Sequence, residues 1–192
     1  ALITTEGFRD ILDTAYETRY DQYDVFIDKT EPLIPRYLRL AAPERVSVHG
    51  EVLRALDEDA VHALLPTLDA EGVASVAVGF LHAYANDAHE RRVREILNAE
   101  RPDLHVTLSS EVCPEVREYE RLTTASANAY VQPLMASYLT RLKDELDRRG
   151  FTCPVFLMTS GGGLITLDTA IRFPIRLVES GPAGGAILAT EV

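Results

Sequence analysis

The stretch Val73-Ala-Ser-Val-Ala-Val-Gly-Phe-Leu81 carries almost no polar side chain and follows directly on Gly72. A run this short and this uniformly apolar lacks the alternation of a strand with one wet face. It is the pattern of a strand covered on both sides, as in a parallel sheet. Parallel strands need a crossover, and the next residues supply one: Asn86–Glu100 is a charged segment with Val93, Ile96 and Leu97 at helical spacing, after which His105-Val-Thr-Leu108 returns as a strand. This βαβ unit places the chain in the α/β class.

The flanking segments extend that reading. Ala1-Leu-Ile-Thr4 predicts a strand, and Thr5 with Phe8, Ile11 and Leu12 predicts a capped helix after it. Opening directly on a strand is what an internal piece of a longer protein would do. Tyr16–Pro35 is rich in Tyr, Asp and Pro, and Glu31-Pro32 and Ile34-Pro35 break any helix. It reads as a surface loop anchored by Tyr20, Tyr23 and Phe26, with a functional loop as the alternative. Residues 37–40, 45–48 and 51–54 predict a small antiparallel sheet, and Asp57 begins a helix to about Ala70 with acidic residues in its first turn. A long helix is expected over 118–149, broken or kinked near Pro133, ahead of a strand at Val155.

Two glycine-rich turns stand near the end of the sequence, Ser160-Gly-Gly-Gly163 and Ser180-Gly-Pro-Ala-Gly-Gly185, each after an apolar run. Glycine lets backbone N–H groups approach an anion without Cβ interference, and a following helix adds the positive end of its dipole. The candidate phosphate-binding residues are therefore Ser160, Gly161, Gly162, Gly163, Ser180, Gly181, Gly184 and Gly185. Neither turn has the spacing of the common phosphate loops, and tight connectors with close helix packing explain the same residues. Ser180 is a candidate N-cap, with Pro182 in the first helical turn.

Charge and cysteine content narrow the partners. A net charge of −11 over 192 residues disfavours nucleic acid and anionic membranes, which need a basic surface. No apolar run approaches the ~20 residues of a membrane span, and the expected location is cytoplasmic. Cys113 and Cys153 lie far apart without C-x-x-C spacing, so they read as reduced thiols, and Cys113 has no neighbouring feature that would stabilise a thiolate. His82, His89, Asp87 and Glu90 cluster after Leu81, but not with the H-E-x-x-H spacing that puts two imidazoles on one helix face. Surface or capping roles are expected of them, and no metal site. Arg117-Glu-Tyr-Glu-Arg121 opens the long helix. Arg117, Glu118 and Arg121 either orient a polar substrate in a cleft or form an internally salt-bridged helix start.

Several strings carry a family resemblance: Ala1-Leu-Ile-Thr-Thr-Glu-Gly-Phe-Arg-Asp10, Val78-Gly-Phe-Leu-His-Ala-Tyr84, Ser109-Ser-Glu-Val112, Arg117–Arg121, Asn128-Ala-Tyr-Val131 and Ser180–Gly185. In order and spacing they resemble the hydantoinase A/5-oxoprolinase family, which includes ATP-dependent N-methylhydantoinase, 5-oxoprolinase and acetone carboxylase components. The resemblance implies an incomplete part of an actin-like, ribonuclease H-like ATPase fold with a small antiparallel insertion. Residues 1–116 would be the later part of the family's N-terminal region and 117–192 the start of its A domain. It also implies an ATP-dependent hydrolase that opens a cyclic amide, hydantoin or 5-oxoproline, with ATP and Mg²⁺ in the parent protein and a hydantoinase B-type subunit as a partner. The family's two Asp-x-Gly-Gly-Thr phosphate loops do not occur in this sequence, so no tight nucleotide binding and no activity are expected of it alone. By position, Leu177–Leu188 resembles the strand and helix ahead of the second loop, which favours a hinge or packing role for Gly181, Gly184 and Gly185. Gly161 stands where the family usually has Asn, and Cys113 where it often has Leu. A noncatalytic interaction or regulatory domain on the same scaffold is the competing class.

Overall fold

In the computed structural model, residues 1–16, 21–28 and 30–191 are described, and the chain divides into two compact units, Ala1–Ala127 and Asn128–Val192.

The first unit is organised by a four-stranded parallel sheet. Its strands are β1 (Leu2–Thr5), β2 (Arg39–Ala42), β5 (Ser75–Gly79) and β6 (His105–Leu108), in the order β2-β1-β5-β6. The register aligns Ile3 with Leu40 and Val78, and Val78 with Leu108. Leu2, Ile3, Val76, Ala77 and Val78 are completely buried, as the doubly covered apolar run requires. The crossover from β5 to β6 is α4 (Ala88–Glu100), which turns Val93, Ile96 and Leu97 inward onto the same core as Phe80 and Leu108.

Three expectations change in detail. Arg39–Ala42 is an edge strand of the parallel sheet, so the antiparallel pair contains only β3 (Arg45–Val46) and β4 (Val52–Arg54). The helix expected after Thr5 is a single turn, α1 (Ile11–Thr14), because Gly7 takes a φ of +90° and bends the chain first. The helix from Asp57 is two short helices, α2 (Glu58–His62) and α3 (Leu65–Ala70). Asp57 caps the first by accepting from the Ala60 N–H, Pro66 sits in the first turn of the second, and Gly72 at φ +59° closes it. In the loop, Tyr23 and Phe26 are exposed where anchoring was expected of them, while Tyr20 lies outside the described residues. Ile34 is the buried residue at the loop's end.

The short α5 (Ser109–Val112) follows β6 directly, and α6 (Glu118–Arg148) starts in the first unit and ends in the second. It runs through Pro133 without the break that was one of the two outcomes expected there. The second unit holds the antiparallel hairpin β7 (Phe156–Met158) and β8 (Leu164–Thr166), followed by α7 (Leu167–Arg172), a 3₁₀ turn over Pro174–Leu177 and α8 (Ser180–Glu191). Leu139, Leu167 and Ala170 form its core with Met135, Leu157 and Ile165 around them.

Candidate functional site

Ligands of open α/β sheets bind where the strands point their carboxyl ends. In the first unit that edge is formed by Thr5 at the end of β1, Phe80–His82 after β5 and Ser109–Ser110 after β6, and it is filled by buried polar side chains.

Glu90 is the centre of one cluster. Its position in the first turn of α4 places its carboxylate under the ends of β5 and β6, where it is completely buried. It accepts hydrogen bonds from the Phe80 N–H at 3.0 Å, the Ser109 hydroxyl at 2.6 Å, and the Ser110 N–H and hydroxyl at 3.0 and 2.6 Å. Burial pushes its carboxyl above the ordinary glutamate range, opposed by the bonds from Ser109, Ser110 and Phe80. Arg121, one turn into α6, is also fully buried. Its Nε donates to Ser109 Oγ at 3.1 Å, and its two terminal nitrogens donate to the Glu115 carbonyl at 2.7 Å and the Phe80 carbonyl at 2.9 Å. The guanidinium lies over the Tyr84 ring at 5.4 Å, a cation–π contact, and approaches Glu118 Oε1 at 3.3 Å.

A second chain of bonds joins β1 to this edge. The Leu81 N–H donates to Thr5 Oγ1 at 3.0 Å, and the Thr5 hydroxyl in turn donates to the fully buried Glu44. The other oxygen of Glu44 lies 2.9 Å from His89 Nδ1. No motif marks Glu44, and Thr5 was expected to cap a helix rather than to bridge Leu81 and Glu44. The signal that pointed here was Glu90 with His82 and His89, read as a surface group.

The residues singled out at the start of α6 part company. Arg121 has no exposed face for a substrate and belongs to the sealed cluster. Burial acts to raise the Glu118 carboxyl, but bonds from the His82 N–H and its own backbone N–H, with the Arg121 charge, hold it below the usual range. Arg117 points to solvent and pairs with Glu120 at 3.6 Å. The structure thus has the salt-bridged helix start. His82 and His89 sit in different clusters, at Tyr84 and Glu44, and among the described residues no group of three or more metal-ligating side chains converges. Cys113 and Cys153 are free thiols.

The glycine turns of the second unit differ from the strand–turn–helix arrangement expected of them. Ser160–Gly163 is the loop of the β7–β8 hairpin. The Thr159 N–H donates to Gly163 O at 2.8 Å, the Gly162 N–H to Thr159 O at 3.0 Å and the Gly163 N–H to Thr159 Oγ1 at 3.2 Å. The Ser160 N–H and hydroxyl both go to the Arg176 carbonyl. Most donors of the turn therefore have partners within it or beside it. Before Ser180 there is a 3₁₀ turn where a strand was expected, and Glu179 at φ +63° redirects the chain so that Ser180 is already helical. Within α8, a Cβ on Gly184 would come within 3.1 Å of Met158 Sδ, whereas Gly181 and Gly185 face open space. A side chain at Gly184 would thus press on Met158 of the hairpin.

The family described as hydantoinase/oxoprolinase N-terminal region matches residues 1–101, and that described as hydantoinase/oxoprolinase matches 121–192. The chain belongs to the hydantoinase/oxoprolinase family. It is 37% identical over 187 residues to an uncharacterized protein of Methanocaldococcus jannaschii, covering 97% of this chain and 28% of that protein. It is 33% identical over 214 residues to the 5-oxoprolinase of Saccharomyces cerevisiae, covering 97% of this chain and 16% of the enzyme. The crystal structure of ATP-dependent caprolactamase from Pseudomonas jessenii superposes with a TM-score of 0.86 at 31% identity, over 95% of this chain and 27% of that one. The chain therefore spans between about a sixth and somewhat over a quarter of these family members. The α/β fold with its parallel sheet is shared with the caprolactamase. Among the described residues no helix is long and apolar enough to cross a membrane.

Proposed function

We propose that this chain is an interior part of an ATP-dependent hydrolase that opens a cyclic amide, on an actin-like scaffold of which it forms a portion. What supports the reading is the match of both family segments along the chain, together with relatives named as 5-oxoprolinase and ATP-dependent caprolactamase. Within it, residues 1–116 belong to the N-terminal region and 117–192 begin the catalytic-family domain, and the whole protein acts in the cytoplasm. One of the relatives is named as an alpha subunit, which supports a partner subunit of the hydantoinase B type.

The residues present fit part of a nucleotide site. With most donors of Ser160–Gly163 already engaged, what suits a phosphate is the start of α8, where Gly181 and Ala183 carry first-turn N–H groups and Gly181 leaves room for close approach. ATP with Mg²⁺, bound by the whole protein, would supply phosphorylation of the amide oxygen and so make the ring carbonyl open to attack by water. The role of this chain's first unit is to hold its sheet edge rigid: the Glu90–Ser109–Arg121 cluster ties β5, β6, α4 and α6 together. Ser180, Gly181 and Gly185 then serve the hinge or the phosphate side of α8, and Gly184 its packing.

The test is Mg·ATP hydrolysis by the complete gene product with hydantoin, 5-oxoproline and caprolactam. Turnover stimulated by a cyclic amide is expected, with none from the 192-residue chain alone. Robust Mg²⁺-dependent turnover by the 192-residue chain, or no stimulation of the complete product by any of the three, would overturn the reading.

A further inference from the structure

The order of the parallel sheet, β2-β1-β5-β6, reverses between β1 and β5: from β1 the chain moves out to β2 on one side, and from β5 it moves out to β6 on the other. Ligands of open parallel sheets bind in the crevice at such a switch point, outside the carboxyl ends of the strands. Thr5 ends β1 and Leu81 follows β5, so the bond from the Leu81 N–H to Thr5 Oγ1 spans this point. Glu44, whose side chain has no exposed surface, joins Thr5 to His89 in the first turn of α4. A carboxylate sealed away from water persists only with hydrogen-bonded partners. Glu44 has the Thr5 hydroxyl on one oxygen and His89 Nδ1 at 2.9 Å on the other. Among the described residues His89 Nε2 has no partner, and with 12% of the side chain exposed it is the nitrogen left open to solvent. A bond that only tied α4 to Glu44 needs a single donor, which an asparagine amide would supply. The imidazole adds a second nitrogen that the fold does not use.

Resting on the hydrolase reading above, we propose that His89 is a catalytic acid–base residue of that reaction, with Glu44 and Thr5 as its positioning residues. The bonds decide which nitrogen carries the proton. Thr5 Oγ1 accepts from the Leu81 N–H, and its own hydroxyl proton goes to Glu44. A carboxylate only accepts, so neutral His89 keeps its proton on Nδ1 and presents a lone pair at Nε2. In the ring-opening step Nε2 takes the proton of a water whose oxygen bonds to the ring carbonyl carbon, and returns that proton to the ring nitrogen as the C–N bond breaks. Between the two transfers the Glu44 carboxylate offsets the imidazolium charge. The water is thus divided between the acyl carbon and the amine, and His89 ends as it began.

Two substitutions in the complete gene product, assayed with Mg·ATP and whichever cyclic amide stimulates turnover, separate a structural bond from a proton carrier. His89→Asn keeps a donor for Glu44 and removes Nε2. Its kcat is expected to fall at least about 100-fold, with KM within about threefold of wild type and the fold retained by circular dichroism. In Glu44→Gln the Thr5 hydroxyl claims the amide oxygen, so the amide nitrogen donates to His89 Nδ1 and forces the imidazole proton onto Nε2. A loss of kcat of at least about 100-fold is expected there too. A second readout needs no turnover. Diethyl pyrocarbonate acylates an unprotonated ring nitrogen, so peptide mass mapping should find His89 acylated in the folded wild type and protected in Glu44→Gln. Wild-type kcat in either variant, a wild-type His89 that stays unacylated, or acylation unchanged in Glu44→Gln would overturn the proposal. The two readings fail separately. If cyclic amides stimulate turnover and His89→Asn keeps the wild-type kcat, the His89 assignment falls and the hydrolase stands. If no cyclic amide stimulates turnover while His89 is acylated and Glu44→Gln protects it, the oriented imidazole stands and the hydrolase falls.

Discussion

The sheet edge of the first unit and the glycine hairpin of the second solve the same problem, closing a turn full of polar groups, by opposite means. At the edge, side chains do it: Glu90 accepts four hydrogen bonds and Arg121 donates to two carbonyls and a hydroxyl. In the hairpin the backbone does it, with Thr159 and Gly163 bonded to each other and Gly162 at φ +80°. The first is buried and tied to distant elements, and the second is exposed and local. The difference teaches that the glycine-rich string is the conspicuous signal, while the groups that fix the geometry are ordinary Glu, Ser and Arg residues.

If the contrast is right, disrupting the side-chain cluster should cost far more than disrupting the turn. Arg121→Met should be the most damaging change, since it strips partners from the Phe80 and Glu115 carbonyls and from Ser109 in a sealed site. A loss of about 3–5 kcal/mol in urea unfolding is expected, and a loss under about 1 kcal/mol would erase the distinction. Glu90→Leu should cost about 2–4 kcal/mol by leaving the Phe80 and Ser110 N–H groups without an acceptor. Glu90 also sharpens the comparison through pH. Its folded carboxyl lies above the unfolded value because burial disfavours the charge, so between those two values the folded state holds a proton that the unfolded state has released. Stability should therefore fall as pH rises from the unfolded glutamate range through the raised value, and Glu90→Leu should abolish that part of the slope. A wild-type and a variant profile that run parallel would refute it. At the small end, Gly162→Ala should cost about 1 kcal/mol from its left-handed backbone alone, with no loss of the first unit's cooperativity.

Much of the scaffold is legible in the sequence for a physical reason. A doubly buried strand cannot hide its run of Val, Ala and Phe, and α4 cannot hide the spacing of Val93, Ile96 and Leu97. What stays illegible is pairing. Nothing local distinguishes Arg39–Ala42 as an edge strand beside β1 from one arm of an antiparallel sheet, because that choice is made by residues far away in sequence. The candidate site is less legible still. Arg121 reads as a substrate-orienting or salt-bridged charge at a helix start, and only the meeting of β5, β6 and α6 makes it a buried clamp. Nothing local marks Glu44, and the string that holds Thr5 gives no hint of its bond to Leu81. Among the glycines, Gly184 lies where a Cβ would come within 3.1 Å of Met158 Sδ, a packing constraint that its glycine-rich string does not announce.

The bond from the Leu81 N–H to Thr5 joins residues 76 positions apart. During synthesis at ~5–20 residues per second, β1 emerges seconds before the strand that will flank it. It must wait with its ladder open, and a sheet whose middle strand pairs only with later-made partners forms slowly for its size. Assembly of the first unit should thus be gated by the arrival of β5, and its early strand is the segment a chaperone would have most reason to hold.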